Sequence, residues 1–167
     1  MSQSKTTICL NMIVKNESHI ISETLDNLFN YIHFDYWVIS DTGSTDGTII
    51  KARIHGATVH NICINPWRFD HARNAALALL PEDIDIVISL DLDEVLEPGW
   101  REEIERVWKP ETTRLSYYFD WGAGIRFKYE KIHARHGYFW HHPVHEYPVF
   151  DKRINEIYAH SDMLMVS

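Results

Sequence analysis

The residues best suited to chemistry are two aspartates that follow a short apolar stretch near the middle of the chain. Residues 84–90 (IDIVISL) are rich in β-branched side chains, as buried strands are, and Asp-Leu-Asp-Glu follows at positions 91–94. Side chains two positions apart on an extended segment point the same way, so we expect Asp91 and Asp93 to converge, with Glu94 facing away. Two carboxylates at a strand end suit a hard divalent cation, Mg²⁺ or Mn²⁺. The alternative is an acidic strand end that is merely solvated.

Two further groups of polar residues stand elsewhere in the chain. Residues 41–48 (DTGSTDGT) follow the second apolar stretch and combine two glycines with hydroxyl side chains, which is typical of a tight turn. Asp41 and Asp46 both suit a role in organising that turn. His145 and Glu146 are adjacent in the aromatic second half of the chain. Most of the other histidines there are expected on strand faces, because one metal ion cannot use them all.

Composition narrows the class of protein. The chain has 167 residues with 45% hydrophobic content, which indicates one globular domain with a real core. Acidic residues number 24 and basic residues 16, and the resulting charge of −8 argues against binding to a nucleic-acid backbone. Cys9 and Cys63 lie in apolar stretches and are expected to be buried free thiols. No secretion signal and no apolar run of about 20 residues is present, so we expect a cytoplasmic protein without a membrane span.

The first half of the chain alternates between strand and helix patterns. Apolar strand patterns cover residues 6–14, 36–40, 58–64 and 84–90. Apolar residues recur at helical spacing in residues 21–33, 48–55, 71–80 and 100–108. This alternation predicts an α/β fold with a parallel, doubly wound sheet. In such sheets ligands bind at the carboxyl ends of the strands, which is where the acidic residues stand.

The second half changes to an aromatic, alternating pattern that is typical of antiparallel strands. The expected strands cover residues 114–121, 125–133, 138–142, 147–150 and Ile154 to His160. We expect them to extend the same sheet, so that residues 1–167 form a single domain.

Five motifs in a fixed order carry a resemblance to a known family. They are Lys15-Asn16-Glu17, the turn at 41–48, residues 69–74 (FDHARN), the Asp-Leu-Asp-Glu sequence and the His-Glu pair. Together they resemble the GT-A-fold glycosyltransferases of the large inverting family 2, over nearly the whole chain. The resemblance implies a Rossmann-like, mostly parallel sheet flanked by helices, with a C-terminal antiparallel extension.

The resemblance also implies roles for individual residues. Asp41 matches the acidic residue at the nucleobase or ribose of a nucleotide-sugar. Asp91 matches the first aspartate of the D-x-D motif, near the ribose and the metal, and Asp93 matches the metal ligand that reaches the diphosphate. Glu146 is the candidate general base, and His145 is expected to orient it or to approach the metal. Residues implied at the donor nucleotide also include Lys15, Asn16, Arg68 and Arg73, with Lys131 and Arg135 as further cations.

The implied function is metal-dependent transfer of a sugar from a nucleotide-sugar, expected to be a UDP-sugar, to an acceptor hydroxyl with inversion. The acceptor is left open between a glycan, a lipid and a protein, and the short chain leaves open which segments bind it. One alternative is a metal-dependent phosphohydrolase, because clustered aspartates and histidines can hold two metals. Another is a non-catalytic module that binds a nucleotide-sugar or glycan. An aspartic protease is disfavoured, because the chain carries Asp-Thr-Gly only once.

Overall fold

Seven strands form one sheet in the order β3-β2-β1-β4-β6-β5-β9 in the computed structural model, which describes residues 5–153 and 155–167. The first four strands run parallel to one another. They are β1 (Ile8–Val14), β2 (Tyr36–Asp41), β3 (Thr58–Asn61) and β4 (Ile86–Ser89). The central strands β1 and β4 are almost entirely buried, as expected for apolar strands covered on both faces.

Helices cover both faces of the sheet. The four helices are α1 (Ile21–Tyr31), α2 (Thr48–Ile54), α3 (Phe69–Ala78) and α4 (Trp100–Val107). Helices α1, α2 and α4 pack with alternate residues of β1, such as Leu10 and Met12, in the larger core cluster. The intervening residue Cys9 faces the smaller cluster, which holds Leu77 of α3 and Trp140. Because successive side chains of β1 point to opposite faces of the sheet, this strand contributes residues to both hydrophobic clusters.

The second half of the chain extends the sheet in a way that the sequence pattern predicts only in part. Strands β5 (Arg114–Gly122) and β6 (Ile125–Ala134) form an antiparallel hairpin whose turn residues Ala123 and Gly124 both have positive φ, as a tight two-residue turn requires. Strand β6 joins the sheet antiparallel to β4. Strand β9 (Tyr158–Val166) then pairs parallel to β5, so the expected antiparallel pairing is wrong for this strand. Ile154, the start of the last expected strand, lies outside the described residues.

The two remaining strands do not extend the main sheet as expected. Strands β7 (Tyr138–His141) and β8 (Tyr147–Phe150) pair with each other in a separate two-stranded antiparallel sheet. The Asn74 side chain of α3 fixes this hairpin, because its Nδ2 donates to the Trp140 carbonyl (2.8 Å) and its Oδ1 accepts from the Trp140 amide (2.7 Å). The β7–β8 loop, which carries Glu146, is thereby held against α3.

The carboxyl ends of the parallel strands meet at one edge. Val14 of β1 pairs with Asp41 of β2, and Asn11 pairs with Ser89 of β4, so all three strands end close together. Within the described residues, no helix is long and apolar enough to span a membrane.

Candidate active site

An open cleft of about 870 Å³ lies at the carboxyl ends of the parallel strands. Its lining combines residues from six parts of the described chain: the end of β1 with the segment that follows it, the turn after β2, the loop after β3, helix α3, the turn after β4 and the β7–β8 loop. Of the site residues expected from the sequence, the cleft brings together Lys15, Arg73, Asp91, Asp93 and Glu146.

The acidic residues after β4 form a turn, which corrects the extended geometry expected from the sequence. The Glu94 amide donates to the Asp91 carbonyl (3.1 Å), and the Asp91 amide donates to Glu94 Oε2 (2.8 Å). Glu94 is therefore buried beside Asp91 instead of facing away from it. The turn leaves Asp93 exposed at the cleft.

Asp91 is held by two buried cations. Arg73 donates from Nη2 to Asp91 Oδ1 (2.6 Å), and Lys131 donates from Nζ to Oδ2 (2.8 Å). Burial alone would raise the pKa of Asp91, but the charges of Arg73 and Lys131 outweigh it and lower the pKa to about 2. Lys131 also donates to Glu94 Oε1 (2.9 Å), where burial raises the pKa of the Glu94 carboxyl and the Lys131 charge opposes the rise. Asp91 is thus an ionised, fixed carboxylate with a cation on each oxygen.

Glu146 is joined to the same network through Arg73. The Arg73 Nε donates to Glu146 Oε1 (3.1 Å), and the guanidinium lies over the Trp140 ring at 5.1 Å. The Glu146 side chain is 12% exposed, so it is positioned and still reachable from the cleft. His145 has a positive φ of 57°, its side chain is exposed, and it does not line the cleft. The structure therefore brings Glu146, and not His145, to the aspartates.

The turn after β2 is built around Asp41 and Asn16, neither of which is among the residues that line the cleft. Asp41 Oδ2 accepts from the amides of Gly43 and Ser44, both at 2.9 Å. Asn16 Oδ1 accepts from the Thr45 amide at 2.8 Å. These bonds match the turn-organising interpretation. Asp41 Oδ1, however, is buried without a hydrogen-bond partner among the described residues.

Two of the expected cations differ in their surroundings. Lys15 is exposed and lines the cleft. Arg68 makes a bidentate ion pair with Asp70 (3.0 and 2.7 Å) and is not among the residues that line the cleft. Of the further cations, Lys131 lies beside Asp91, whereas Arg135 binds the backbone carbonyls of Leu80 and Pro81.

Three residues of the cleft were not expected from the sequence. Trp67 and Phe69 pack edge to face, with ring centroids 5.2 Å apart, and remain 46% and 38% exposed. Cys63 is exposed and lines the same cleft, so the expectation of two buried thiols is wrong for this residue. The available signal was a pair of large aromatic side chains two positions apart, Trp67 in the loop before α3 and Phe69 at its first residue, because binding residues are often found on such connecting segments.

The donor atoms at the turn suit a hard divalent cation. Among the described residues no three or more histidine, cysteine or acidic side chains converge closely enough to form a complete protein cage. Mg²⁺ is commonly held by one or two carboxylates together with substrate phosphates, which is a smaller demand on the protein. The exposed Asp93 meets this demand, whereas both oxygens of Asp91 already bind cations.

Comparison with solved structures shows the fold. The chain is similar to glucosyl-3-phosphoglycerate synthase from Mycobacterium tuberculosis in complex with Mn²⁺, UDP and glucosyl-3-phosphoglycerate, with 22% identity, a TM-score of 0.52 and coverage of 70% of this chain and 45% of that chain. A second structure of that enzyme, with Mg²⁺ and UDP, gives 22% identity, a TM-score of 0.52 and coverage of 71% and 45%. S. aureus TarS gives 20% identity, a TM-score of 0.56 and coverage of 72% and 23%.

These similarities confirm the expected fold. The chain spans less than half the length of each of these structures. No family model and no curated protein matches the sequence. The mostly parallel sheet flanked by helices is the GT-A fold of glycosyltransferases.

Proposed function

We propose that this chain is a metal-dependent glycosyltransferase that moves a sugar from a nucleoside-diphosphate sugar to an acceptor hydroxyl with inversion. The observation that carries the proposal is the joining of Asp91 and Glu146 through one guanidinium, that of Arg73, at the edge of a GT-A sheet. The solved structures of the same fold that contain UDP with Mn²⁺ or Mg²⁺ support this class of donor and this class of metal.

In this proposal the donor occupies the 870 Å³ cleft. Asp41 Oδ1, which has no hydrogen-bond partner among the described residues, is next in sequence to the cleft residues Thr42 and Gly43 and is the proposed acceptor for a nucleobase or ribose group. The Trp67 and Phe69 rings offer a surface on which a planar base or a sugar ring can pack. Lys15 is exposed and lines the same cleft, so it suits a contact with the diphosphate. Asn16 shapes the turn, while a contact of Arg68 with the donor stays a prediction.

The metal would be held by Asp93, with Asp91 beside it. When bound, the cation would stabilise the negative charge that grows on the departing nucleoside diphosphate. The positively charged side chains around the cleft do not by themselves balance this negative charge. Among the described residues, eight charged side chains line the cleft or join its ion pairs, and they comprise five carboxylates and three cations: Glu17, Asp91, Asp93, Glu94, Glu146, Lys15, Arg73 and Lys131.

Glu146 is the proposed general base. Its carboxylate takes the proton of the acceptor hydroxyl while the oxygen attacks the anomeric carbon from the face opposite the leaving group, which inverts the configuration. Arg73 fixes Glu146 for this step and does not itself exchange a proton, since its guanidinium stays charged. A role for His145 in orienting Glu146 or approaching the metal stays a prediction.

The test is calorimetric titration with UDP, GDP, CDP and dTDP, each in Mn²⁺ and in EDTA. We expect metal-dependent binding of one nucleotide, UDP by expectation, and its loss in Asp93→Asn. Asp26→Asn is the matched control, because it makes the same substitution at an exposed aspartate (68% exposed) on α1 that does not line the cleft. Glu146→Gln is expected to keep nucleotide binding and to abolish transfer.

Two results would contradict the proposal. Folded protein that binds none of the four nucleotides in Mn²⁺ would remove the donor site from this cleft. Phosphate release from p-nitrophenyl phosphate without any acceptor, lost in Asp93→Asn, would indicate the phosphohydrolase instead.

A further inference from the structure

A second cavity of about 460 Å³ adjoins the catalytic carboxylate. It lies between β8 and the outer part of β6, where β6 residues 125–131 extend beyond the three-residue pairing with β4. Within the part of the chain that the structure describes, Glu146 is the one residue that lines both this cavity and the donor cleft. A molecule in the second cavity therefore reaches the same carboxylate that a sugar in the cleft reaches.

We propose that this second cavity binds the acceptor and that the acceptor is a saccharide. The inference rests on the proposed function, because it assigns the substrate class for the same Glu146. Small-molecule sites occupy about 300–1,000 Å³, and this cavity falls within that range. The sequence left the acceptor open between a glycan, a lipid and a protein. The side chains that line the cavity distinguish these classes.

The lining offers the two kinds of contact that a sugar ring uses. Tyr147, which is 50% exposed, supplies an aromatic ring, whereas the ring of Tyr129, which also lines the cavity, packs edge to face on Tyr117. Rings of this kind pack against the C–H faces of a sugar while their hydroxyls bond at the edge. Glu130, whose side chain is 37% exposed, and the exposed Lys128 add an acceptor and a donor for sugar hydroxyls.

The charges of the cavity disfavour an anionic acceptor. Lys131 is 6% exposed and is committed to Asp91 and Glu94. Arg114 is 8% exposed and pairs with Glu156 (3.1 Å) and Glu130 (3.5 Å). A phosphate or carboxylate entering the cavity would meet these two balanced cations, the exposed Lys128, and the two carboxylates Glu130 and Glu146.

The same lining disfavours an acyl chain. Five of the side chains around the cavity are charged: Arg114, Lys128, Glu130, Lys131 and Glu146. Covering the exposed Lys128 and the partly exposed Glu130 with hydrocarbon would remove water from their charges, which is costly. A neutral polyhydroxylated ring replaces that water with hydroxyls and leaves its apolar face to Tyr147.

The reaction balances with this placement. One acceptor hydroxyl beside Glu146 forms the new bond from its oxygen to the anomeric carbon of the donor sugar. The bond between that carbon and the nucleoside diphosphate breaks, and its electron pair leaves with the diphosphate. The hydroxyl proton passes to Glu146. No oxidant, reductant or third substrate is needed.

The experiment is saturation-transfer difference NMR with methyl glycosides of glucose, galactose and N-acetylglucosamine as probes, on the full chain with UDP and the diamagnetic Mg²⁺. We expect saturation transfer to at least one glycoside and at least a tenfold weaker Kd in Tyr147→Ala. Tyr147→Phe, which keeps the ring, should retain binding. Phe139→Ala is the matched control, because it removes a similarly exposed ring (43%) from the same hairpin, outside the cavity.

The outcomes separate this inference from the proposed function. Metal-dependent UDP binding with no saturation transfer to any glycoside would overturn the saccharide assignment and leave the donor site standing. Glycoside binding that is unchanged in Tyr147→Ala would overturn the assignment of the cavity. Glycoside binding that depends on Tyr147, in protein that binds no nucleotide, would overturn the transfer reaction and with it the acceptor role.

Discussion

Replacing Arg73 by methionine tests whether this guanidinium organises the site. The Arg73 side chain is 4% exposed and is the shared partner of Asp91 at 2.6 Å and Glu146 at 3.1 Å. Methionine has a similar length and no charge, so Arg73→Met removes both ion pairs while filling much of the same space. The two carboxylates then face each other across an apolar side chain.

The expected loss of stability depends on the ion-pair partners and the water exposure that each carboxylate retains. Removing one partner of a buried ion pair costs about 3–5 kcal/mol. Asp91 retains Lys131 and is 37% exposed, so water and the remaining cation offset part of the loss. Glu146 is only 12% exposed and loses the Arg73 contact. We therefore expect a loss of about 2–3 kcal/mol, including about 0.5–1 kcal/mol from the contact with the Trp140 ring.

The measurement is thermal unfolding. For a chain of this size 1 kcal/mol corresponds to about 2–4 °C, so Arg73→Met should lower Tm by about 5–10 °C. Arg126→Met is the matched control, because Arg126 is 57% exposed and pairs with Asp120 on the β5–β6 hairpin. Exposed pairs contribute about 0.2–1 kcal/mol, so this change should move Tm by less than about 4 °C. An Arg73→Met protein that melts together with Arg126→Met would refute the reasoning.

The other predictions concern acid stability, the cleft thiol and the hairpin anchor. Burial lowers the pKa of His133 from 6.5 to about 4. As the pH falls from 6.5 to 4, the imidazole is protonated in the unfolded chain and stays neutral in the folded chain. The free energy of unfolding therefore falls by up to about 3 kcal/mol. His133→Phe should flatten that loss in urea titrations between pH 7 and pH 4.5, and an equally steep loss in the variant would contradict it. Iodoacetamide should modify the exposed Cys63 and spare Cys9, because burial raises the pKa of the Cys9 thiol to about 12. UDP with Mn²⁺ should protect Cys63 from this modification. If UDP binds and Cys63 still reacts at an unchanged rate, the nucleotide binds elsewhere. Asn74→Ala leaves the backbone groups of Trp140 without these partners, so it should cost about 1–3 kcal/mol and reduce transfer more than UDP binding; equal losses of both would indicate a general structural effect.

The fold was largely predictable because apolar periodicity determines which elements form. The strand patterns at 6–14 and 84–90 correspond to the buried strands β1 and β4, and the helical spacing of Ile21, Leu25 and Leu28 forms the buried face of α1. The direction of β9 was not predictable in the same way. Side chains alternate with a period of two in parallel and antiparallel strands alike, so the pattern of residues 158–166 does not state which neighbour the strand joins.

The site was predictable only to the level of residue types. Asp91 and Glu146 were identified as candidates, but Arg73 was expected only at the donor nucleotide, and nothing in the sequence indicated that it joins the two carboxylates. Lys131 is 40 residues from Asp91 in sequence and reaches it because β6 is the neighbour of β4. Such contacts depend on the order of strands in the sheet, and a single sequence gives no direct signal of that order.

Arg73 links the two halves of the proposed reaction in one rigid unit. It lies on α3, and α3 also anchors the β7–β8 hairpin through Asn74. The carboxylate proposed to face the donor and the carboxylate proposed to accept the proton are thus held by neighbouring residues of the same helix. This coupling explains why a buried arginine, which is costly to desolvate, stands where a leucine would pack well. Arg73 stabilises the protein only while it is paired with both carboxylates. The same two ion pairs hold the geometry that in-line attack requires.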